Sequence, residues 1–231
     1  MLEKIDDFAK NLKLNFSDKN LLCQVFIHRS YLNEHRSAGL KQNERLEFLG
    51  DAVLELAVTE NLFAKYDRPE GEMTSWRSAL VKGESLSAEA RRIGMDEYIC
   101  VSRGEAKNSG KARDLILANA LEALIGAIYI DQGYNEAKKF VEEHIIYKLD
   151  EILENQHYID AKSQLQEIAQ EKFSITPTYE TISETGPDHN KKFIVGVYIG
   201  KKKVGDGEGN SKQQAQIAAA AKALEENDLF N

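Results

Sequence analysis

Carboxylate side chains with helical spacing are the residues of this sequence most able to do chemistry. Glu44, Glu47 and Asp51 stand at positions i, i+3 and i+7 of an apolar segment, so a helix places them on one face. Asn119 and Glu122 stand three residues apart in a second apolar segment. Like charges one turn apart repel, and a divalent metal is one partner that compensates them. All-oxygen ligands suit Mg²⁺ or Mn²⁺ rather than zinc.

Two glycines bear on whether these carboxylates meet. Gly50 and Gly126 lie inside the two apolar segments, where a glycine costs a helix about 1 kcal/mol relative to alanine. Gly50 adjoins Asp51, and Gly126 follows Glu122 by one turn, so helices that cross closely at the glycines would bring the carboxylates together. Ordinary solvent-facing helix charges are the alternative, and periodicity alone leaves both interpretations open.

The elements that must position these residues are predicted from apolar spacing. Successive helical segments, with apolar side chains three and four residues apart, cover 43–66, 112–130 and 134–153. After about residue 155 a helical segment is followed by three segments typical of strands and by an alanine-rich helix. The sequence therefore predicts an all-α domain over 1–152, a linker over 153–159 and a small α+β domain, ordered α-β-β-β-α, over 160–228.

Composition limits the classes of protein to which the chain can belong. The 231 residues carry a formal net charge of −8, so any surface for phosphate groups must be a local basic patch. No apolar run approaches the roughly 18 residues that a membrane-spanning helix needs, and the charged N-terminal segment is not typical of a secretion signal. Cys23 and Cys100 are far apart in the sequence, and we expect free thiols in a cytoplasmic protein.

One long motif carries a resemblance to a known family. Residues 43–57, NERLEFLGDAVLELA, resemble the motif of the ribonuclease III family almost letter for letter. Further similarity runs through FIHRSYLNE, EGEMTSWRSALVKGESLS, GEAKNSGKARD and ILANALEALIGAIYIDQG. Residues 160–226 are similar to a double-stranded RNA-binding domain. The resemblance covers essentially the whole chain and implies an all-α endonuclease domain followed by a small α+β domain that binds RNA.

Carried over by position, the resemblance implies roles for the acidic residues. Glu47, Asp51 and Glu122 would hold a catalytic Mg²⁺, for which Mn²⁺ can substitute, and Glu44 would be a supporting catalytic acid. Asn119, the fourth predicted metal ligand, stands where the family usually has an aspartate. Its amide can offer a metal an oxygen but not a charge, so we expect weaker metal binding and an unchanged class of reaction.

The same resemblance assigns further positions. Glu70 and Glu105 align with acidic residues that line the cleft. Phe48 matches the apolar side chain that family members insert into the partner subunit; an ordinary core phenylalanine is the alternative. His28, in the segment HRSY, is predicted to be structural rather than catalytic.

The RNA-contacting regions of the family can also be placed. They are the first helix of the second domain, the loop between its first two strands and the N-terminus of its last helix, where free N–H groups favour phosphate. The predicted RNA-binding residues of these regions are Ser163, Gln166, Glu167, His189, Ser211 and Lys212. Lys201, Lys202 and Lys203 either supplement this surface or belong to a solvated turn.

The resemblance implies an enzyme that hydrolyses double-stranded RNA to products with 5′-phosphates and short 3′ overhangs, in rRNA and mRNA processing. Because such a cut needs one active site per strand, we expect a homodimer. No membrane and no small-molecule cofactor are expected. The alternative is a double-stranded RNA-binding protein of the same fold that has lost cleavage, which only Asn119 favours.

Overall fold

The computed structural model describes residues 2–35, 39–154, 161–187 and 191–226. The chain divides into two compact units, Met1–Tyr158 and Ile159–Asn231. Most of the linker predicted over 153–159 lies outside the described residues, so its boundaries stay a prediction. Within the described ranges, no helix combines the length and the apolar character needed to cross a bilayer.

The first unit is helical, as predicted. Its helices are α1 (Leu2–Asn11), α2 (Lys19–Val25), α3 (Arg29–Glu34), α4 (Glu44–Lys65), α5 (Glu70–Val81), α6 (Gly83–Arg92), α7 (Lys111–Gln132), α8 (Tyr134–His144) and α9 (Leu149–Glu154). Short 3₁₀ turns cover Met95–Glu97, Glu105–Lys107 and Ile146–Lys148. The apolar period of residues 134–153 is therefore divided between α8 and α9, because the backbone leaves helical geometry at Ile145, where φ is −118°.

The helix α7 forms the centre of this unit. Its apolar residues Leu117, Leu121, Leu124, Ile125 and Ile128 are fully buried, which is expected of a helix that is apolar around most of its circumference. The helices α2, α4, α6 and α8 all pack against it. The helix ends before Gly133, whose φ is +88°. Residues other than glycine rarely adopt a positive φ of this size. The predicted acids thus lie on, or next to, the most deeply buried element.

The second unit has the predicted order α-β-β-β-α. It consists of α10 (Ala161–Phe173), the strands β1 (Thr178–Thr185), β2 (Lys192–Ile199) and β3 (Lys202–Gly209), and α11 (Lys212–Glu226). The strands form an antiparallel sheet in the order β1-β2-β3.

A stripe of glycines lets α11 lie directly on the backbone of β3. A Cβ atom added at Gly205 would lie 2.8 Å from the carbonyl oxygen of Ala219, and one at Gly207 would lie 2.7 Å from that of Ala215. Small residues on both elements, with Ala219 and Ala223 fully buried, therefore replace the usual layer of large side chains. This close packing fixes the N-terminus of α11, where Ser211 and Lys212 stand.

Candidate active site

The helices α4 and α7 cross at their interior glycines. A Cβ atom added at Gly50 would overlap the carbonyl oxygen of Glu122 and lie 2.8 Å from the amide nitrogen of Gly126. A Cβ atom added at Gly126 would overlap the carbonyl oxygen of Leu46 and lie 3.0 Å from the amide nitrogen of Gly50. The close backbone approach that the sequence indicated is therefore present, and it sets Asp51 of α4 beside Glu122 of α7.

The carboxylates at this crossing act on one another electrostatically. Burial, followed by the charges of Asp51 and Glu47, raises the pKa of Glu122 to about 7. Burial and the charge of Glu44 raise the pKa of Glu47, to which Asp51 adds a smaller effect. Glu47 and Glu122 are half-buried, whereas Asp51 and Glu44 are exposed. The predicted acids of the two helices are thus brought together as a cluster of like charge, which costs stability unless a cation joins it.

Asn119 contacts the first of the predicted ligands. Its amide is near enough to the carboxylate of Glu47 to lower the pKa of that group by hydrogen bonding, against the larger effects of burial and of Glu44. The residue that departs from the family pattern is therefore a neighbour of the carboxylates. An amide at this position supplies a hydrogen-bond donor that an aspartate would lack.

Glu44 has different partners from the other acids. Its carboxylate accepts a hydrogen bond of 2.9 Å from Gln42 Nε2 and lies 3.6 Å from Arg29 Nη1. Over the described ranges of the chain, Glu47, Asp51 and Glu122 form no ion pair with a lysine, arginine or histidine. Arg29 thus pairs with Glu44 and acts on Glu47 only as a smaller, more distant charge.

The carboxylate groups of Glu47, Asp51 and Glu122 do not converge on a single point in the structure. As the side chains stand, the described residues include no group of three or more Asp, Glu, His or Cys side chains arranged to hold a metal ion. The α4–α7 crossing fixes the backbone positions of Glu47, Asp51 and Glu122 relative to one another.

The two predicted cleft acids lie in different places. Glu105 is half-buried in its 3₁₀ turn, where its carboxylate accepts a hydrogen bond of 2.7 Å from Asn108 Nδ2. It also acts on the pKa of His28, as does Glu44, so it belongs to the same side of the unit. Glu70 instead begins α5 and lies in a cavity with Phe63, about three helical turns along α4 from Asp51. Within one chain, Glu70 is not brought to the acidic cluster.

Phe48 is exposed, so the alternative of a core phenylalanine is wrong for the single chain. Its side chain is 82% exposed, and that of Phe63 on the same helix is 79% exposed. Leu56, between them on α4, and Leu115 on α7 are also exposed, at 54% and 62%. The sequence did not indicate that Phe63, Leu56 and Leu115 would be exposed. An apolar period on a helix does not distinguish a side chain that faces a core from one that faces a partner.

The comparisons with known proteins agree with this architecture. A family model described as "Ribonuclease-III-like" matches residues 18–149. The chain is 44% identical to the Ribonuclease 3 of Enterococcus faecalis over 210 residues, which are 90% of this chain and 91% of that protein. The chain belongs to the ribonuclease III family. It is also 42% identical to a Ribonuclease 3 of Streptococcus pneumoniae over 226 residues, 97% of each chain.

A solved structure matches the first unit. It is the nuclease domain of the Campylobacter jejuni ribonuclease III, with 39% identity and a TM-score of 0.54, and the match covers 61% of this chain and 97% of that one. That nuclease domain is described as structurally flexible in a region involved in dimer formation. A second family model, the double-stranded RNA binding motif, matches residues 161–227. Both units of this ribonuclease III family member thus have known counterparts.

The RNA-binding residues predicted in the second unit lie at its surface, where the structure describes them. Ser163, Gln166 and Glu167 are exposed on α10. Ser211 Oγ accepts the N–H of Gln214 at 3.2 Å, so it caps the start of α11. Lys212 Nζ is exposed and lies 5.8 Å from the centre of the Phe193 ring.

The remaining predicted contacts differ from one another. His189 falls outside the described residues. Of the three lysines of the turn, Lys203 forms a 2.6 Å ion pair with Asp206, which lowers the positive potential that it can offer to RNA. Lys201 and Lys202 are exposed. We therefore expect these two to be the members of the run that supplement an RNA-binding surface.

Sequence reasoning missed a second cluster of charges in the first unit. Glu89 is completely buried and bonds Arg92, His144, Lys148 and Tyr147 at distances from 2.6 to 3.3 Å. Burial would raise the pKa of Glu89, but hydrogen bonds from His144, Arg92 and Lys148 outweigh it and lower the pKa to about 2. The spacing of Glu89 and Arg92 is typical of a surface ion pair, so the sequence offered no sign of burial.

Proposed function

We propose that the chain is an endoribonuclease that hydrolyses double-stranded RNA in rRNA and mRNA processing, at the acidic cluster of α4 and α7. One observation carries this proposal. The glycine crossing brings Glu47, Asp51 and Glu122 within electrostatic reach of one another, and none of the three forms an ion pair with a cationic side chain of the described residues. A fold retains such a cluster at a cost in stability, which is typical of a functional site. Membership of the ribonuclease III family supports the substrate and the reaction.

The chemistry of the donors fits a divalent metal. Carboxylate and amide oxygens are ligands that Mg²⁺ and Mn²⁺ prefer, and the cluster lacks the sulfur and imidazole groups that zinc prefers. We propose that Glu47, Asp51 and Glu122 hold Mg²⁺, or Mn²⁺ in its place. When bound, such an ion supplies Lewis-acid stabilisation of the phosphodiester oxygens and makes a nearby water more acidic.

The chain's own residues have distinct parts in this proposal. Glu44, which Arg29 and Gln42 hold in place, stands one turn before Glu47 and is the acid nearest to the exposed end of the cluster. Asn119, through its amide N–H, favours the charged form of the Glu47 carboxylate against burial and the charge of Glu44. We propose that Asn119 senses the metal through this bond or through its own oxygen, as a weaker substitute for an aspartate.

We propose further that the enzyme is a homodimer that packs through α4. Phe48, Leu56 and Phe63 are exposed on this helix, and Leu56 lies about midway between the two phenylalanines. If two copies of α4 pack antiparallel about a two-fold axis near Leu56, each Phe48 meets the Phe63 end of its partner. Each active site then cuts one strand of the duplex, which gives 5′-phosphates and short 3′ overhangs.

A cavity at the Phe63 end of α4 can receive the phenyl ring. It has a volume of about 220 Å³ and is lined by Thr59, Leu62, Phe63, Glu70, Met73, Thr74 and Arg77. A cavity of roughly 150 Å³ already accepts a benzene molecule. In this arrangement Glu70, which is distant from the acidic cluster of its own chain, lies beside the partner's Phe48 and one residue from the partner's Glu47. This gives the predicted cleft acid a place near an active site.

Sedimentation of the protein at micromolar concentration tests the dimer. We expect a dimer for the parent chain and a dissociation constant that is raised about a hundredfold or more for Phe48→Ala, because the symmetric interface loses two buried rings. Ile182→Ala, which removes a side chain of 49% exposure from the second unit, is the matched control and should leave the dimer unchanged. A parent chain that is monomeric and still active would overturn the proposed assembly.

We propose that the second unit grips the RNA duplex through Ser163, Gln166 and Glu167 on α10, His189, and Ser211 and Lys212 at the start of α11. The capped N-terminus of α11, its exposed lysine and the exposed face of α10 support this surface. We place the protein in the cytoplasm, which agrees with the lack of a disulfide at Cys23 and Cys100.

Incubation with a long, perfectly paired RNA, with and without Mg²⁺, tests the proposed function. We expect cleavage only with the metal. Asp51→Asn should reduce the rate by about a thousandfold or more, because it removes a charge that only the metal and the reaction use. Duplex binding of this variant should stay unchanged. Glu55→Gln, exposed one turn further along α4, is the matched control.

Two outcomes of this experiment would contradict the proposal. Cleavage by Asp51→Asn within tenfold of the parent rate would remove Asp51 from the site. A parent chain that binds the duplex but cuts it at no Mg²⁺ concentration would favour the alternative, a double-stranded RNA-binding protein that has lost cleavage through Asn119.

A further inference from the structure

A chain of hydrogen bonds outside the acidic cluster joins the start of α3 to the turn that carries Glu105. The Oγ atom of Ser30 lies 2.8 Å from Nδ1 of His28 and accepts the backbone N–H of Ser102 at 3.0 Å. The Oγ atom of Ser102 in turn accepts the backbone N–H of Glu105 at 3.2 Å. We call His28, Ser30 and Ser102, with these bonds, the serine chain. It connects two segments, 28–30 and 102–105, that are distant in the sequence.

The bonds of the serine chain determine where its protons are. The backbone N–H of Ser30 donates to Nδ1 of His28 at 3.3 Å, so that nitrogen carries no proton of its own. The hydroxyl of Ser30 already accepts from Ser102, and its proton is therefore directed to the same Nδ1. His28 is then neutral, with its proton on Nε2. Burial lowers the pKa of His28, against a smaller raising effect of Glu105, which agrees with a neutral ring.

The serine chain is attached to the start of α4 through the backbone. The N–H of His28 donates to the carbonyl of Cys100 at 3.1 Å. The residue just before it, Ile27, accepts the N–H of Asn43 at 2.9 Å. The buried side chain of Asn43 also donates to the carbonyl of Val25 at 2.9 Å. The segment 25–28 thus holds both the N-terminus of α4, from which the predicted acids project, and the residues that lead to Glu105.

Glu105 is held at both its backbone and its side chain. Ser102 fixes its N–H, and Asn108 donates to its carboxylate at 2.7 Å. Glu105 and Glu44 both act on the pKa of His28, which places the ring within electrostatic reach of each. The carboxylates of Glu105 and Glu44 are therefore both close to one neutral histidine.

We propose that His28, Ser30 and Ser102 are positioning residues for RNA cleavage, which hold Glu105 in a fixed place beside the acids of α4. This inference rests on the proposed function, since it assigns these residues a part in that reaction. The hydroxyl of Ser30 is the centre of the chain, because it is the group that both accepts from Ser102 and donates to His28. The chain acts through position and makes no contact with the reacting phosphodiester.

Substitution of Ser30 tests the proposal in the full-length protein. Ser30→Ala removes both side-chain bonds, and we expect kcat for duplex cleavage to fall about tenfold because the Glu105 turn is displaced. KM and duplex binding should stay within twofold of the parent values. Ser30→Thr keeps the hydroxyl and should restore most of the rate. Ser87→Ala is the matched control, a buried serine that bonds only to Glu84 in its own helix.

Two further measurements separate positioning from a loss of stability. Ser102→Ala removes only the bond to Glu105, and the double variant with Ser30→Ala should lose no more rate than the stronger single variant. In protein labelled with ¹⁵N-histidine, the His28 signal, assigned by its absence in His28→Gln, should show a proton on Nε2 and none on Nδ1. Its Nδ1 shift should change in Ser30→Ala.

The possible outcomes distinguish failure of this inference from failure of the proposed function. If the parent chain cleaves RNA and Ser30→Ala retains kcat within twofold, the serine chain is not a positioning device and only this inference fails. If the losses of kcat in Ser30→Ala and Ser102→Ala multiply in the double variant, the two residues act separately. The serine chain is then refuted as well. If Ser30→Ala does not fold, Ser102→Ala with an unchanged kcat gives the same refutation. A parent that does not cleave RNA at all contradicts the proposed function instead.

Discussion

Two carboxylates of the first unit, one fully buried and one half-buried, behave in opposite ways. Glu89 of α6 is surrounded by Arg92, His144 and Lys148, and its pKa is lowered to about 2. Glu122 of α7 lies beside Asp51 and Glu47, and burial together with their charges raises its pKa to about 7. The same chemical group thus contributes to the stability of the unit in one place and opposes it in the other. Compensated charge indicates a structural role here, and uncompensated charge indicates the site.

The largest effect on stability is expected at the compensated carboxylate. Glu89→Gln leaves four cationic or hydrogen-bonding partners around a neutral amide in a fully buried position. We expect the free energy of unfolding to fall by about 3–5 kcal/mol, because breaking a buried ion pair leaves its partners unpaired. Chemical denaturation measures this. Glu84→Gln, on the same helix but with a side chain 88% exposed, is the control and should change stability little.

The pH dependence of the free energy of unfolding tests the stabilising role of Glu89 in a second way. The pKa of Glu89 is about 2 in the folded protein and near the ordinary value of 4.5 in the unfolded chain. A lowered pKa means that its contribution is complete above pH 4.5 and is lost as the pH falls toward 2. We expect the stability difference between the parent and Glu89→Gln to shrink by roughly 1 kcal/mol between pH 7 and pH 3.5. A difference that stays constant over this range would show that folding does not lower the pKa of Glu89.

A smaller effect, on metal binding, is expected at Asn119, where the α4–α7 site departs from the family pattern. Asn119→Asp adds a carboxylate beside Glu47 and removes the amide that donates to it. We expect the variant to need about ten- to thirtyfold less Mg²⁺ for half-maximal cleavage, which corresponds to about 1–2 kcal/mol. Without a divalent ion it should be less stable than the parent, since one more like charge is present. Titration of Mg²⁺ against the cleavage rate measures the first effect, and identical curves would show that Asn119 does not sense the metal.

Much of the site could be predicted from the sequence, because backbone geometry follows from residue type. The spacing of Glu44, Glu47 and Asp51 sets one face of a helix, and the interior glycines Gly50 and Gly126 indicate a close crossing. Both features are present in the structure. The α-β-β-β-α order followed in the same way from apolar periods that change from helical to strand spacing. These features are local, and local patterns are what a single sequence records.

The rest depends on contacts between distant segments. Glu89 is buried because Lys148 and His144 come from a different part of the chain, which its own helical spacing cannot reveal. The bonds of Ser30 to Ser102 join residues separated by 72 positions. The exposure of Phe63 was also beyond the sequence, because a side chain that awaits a partner has the same spacing as one in a core.

The most direct test is the stability of Glu122→Gln, measured by chemical denaturation at pH 8 without divalent ions and beside Glu89→Gln. We predict that Glu122→Gln is more stable than the parent by about 1–3 kcal/mol, because it removes a buried charge that its neighbours repel. The same preparation should fail to cleave RNA when Mg²⁺ is added. A Glu122→Gln protein that is destabilised as much as Glu89→Gln, or that cleaves RNA at the parent rate, would contradict the claim that the α4–α7 carboxylates are kept for the reaction at the expense of stability.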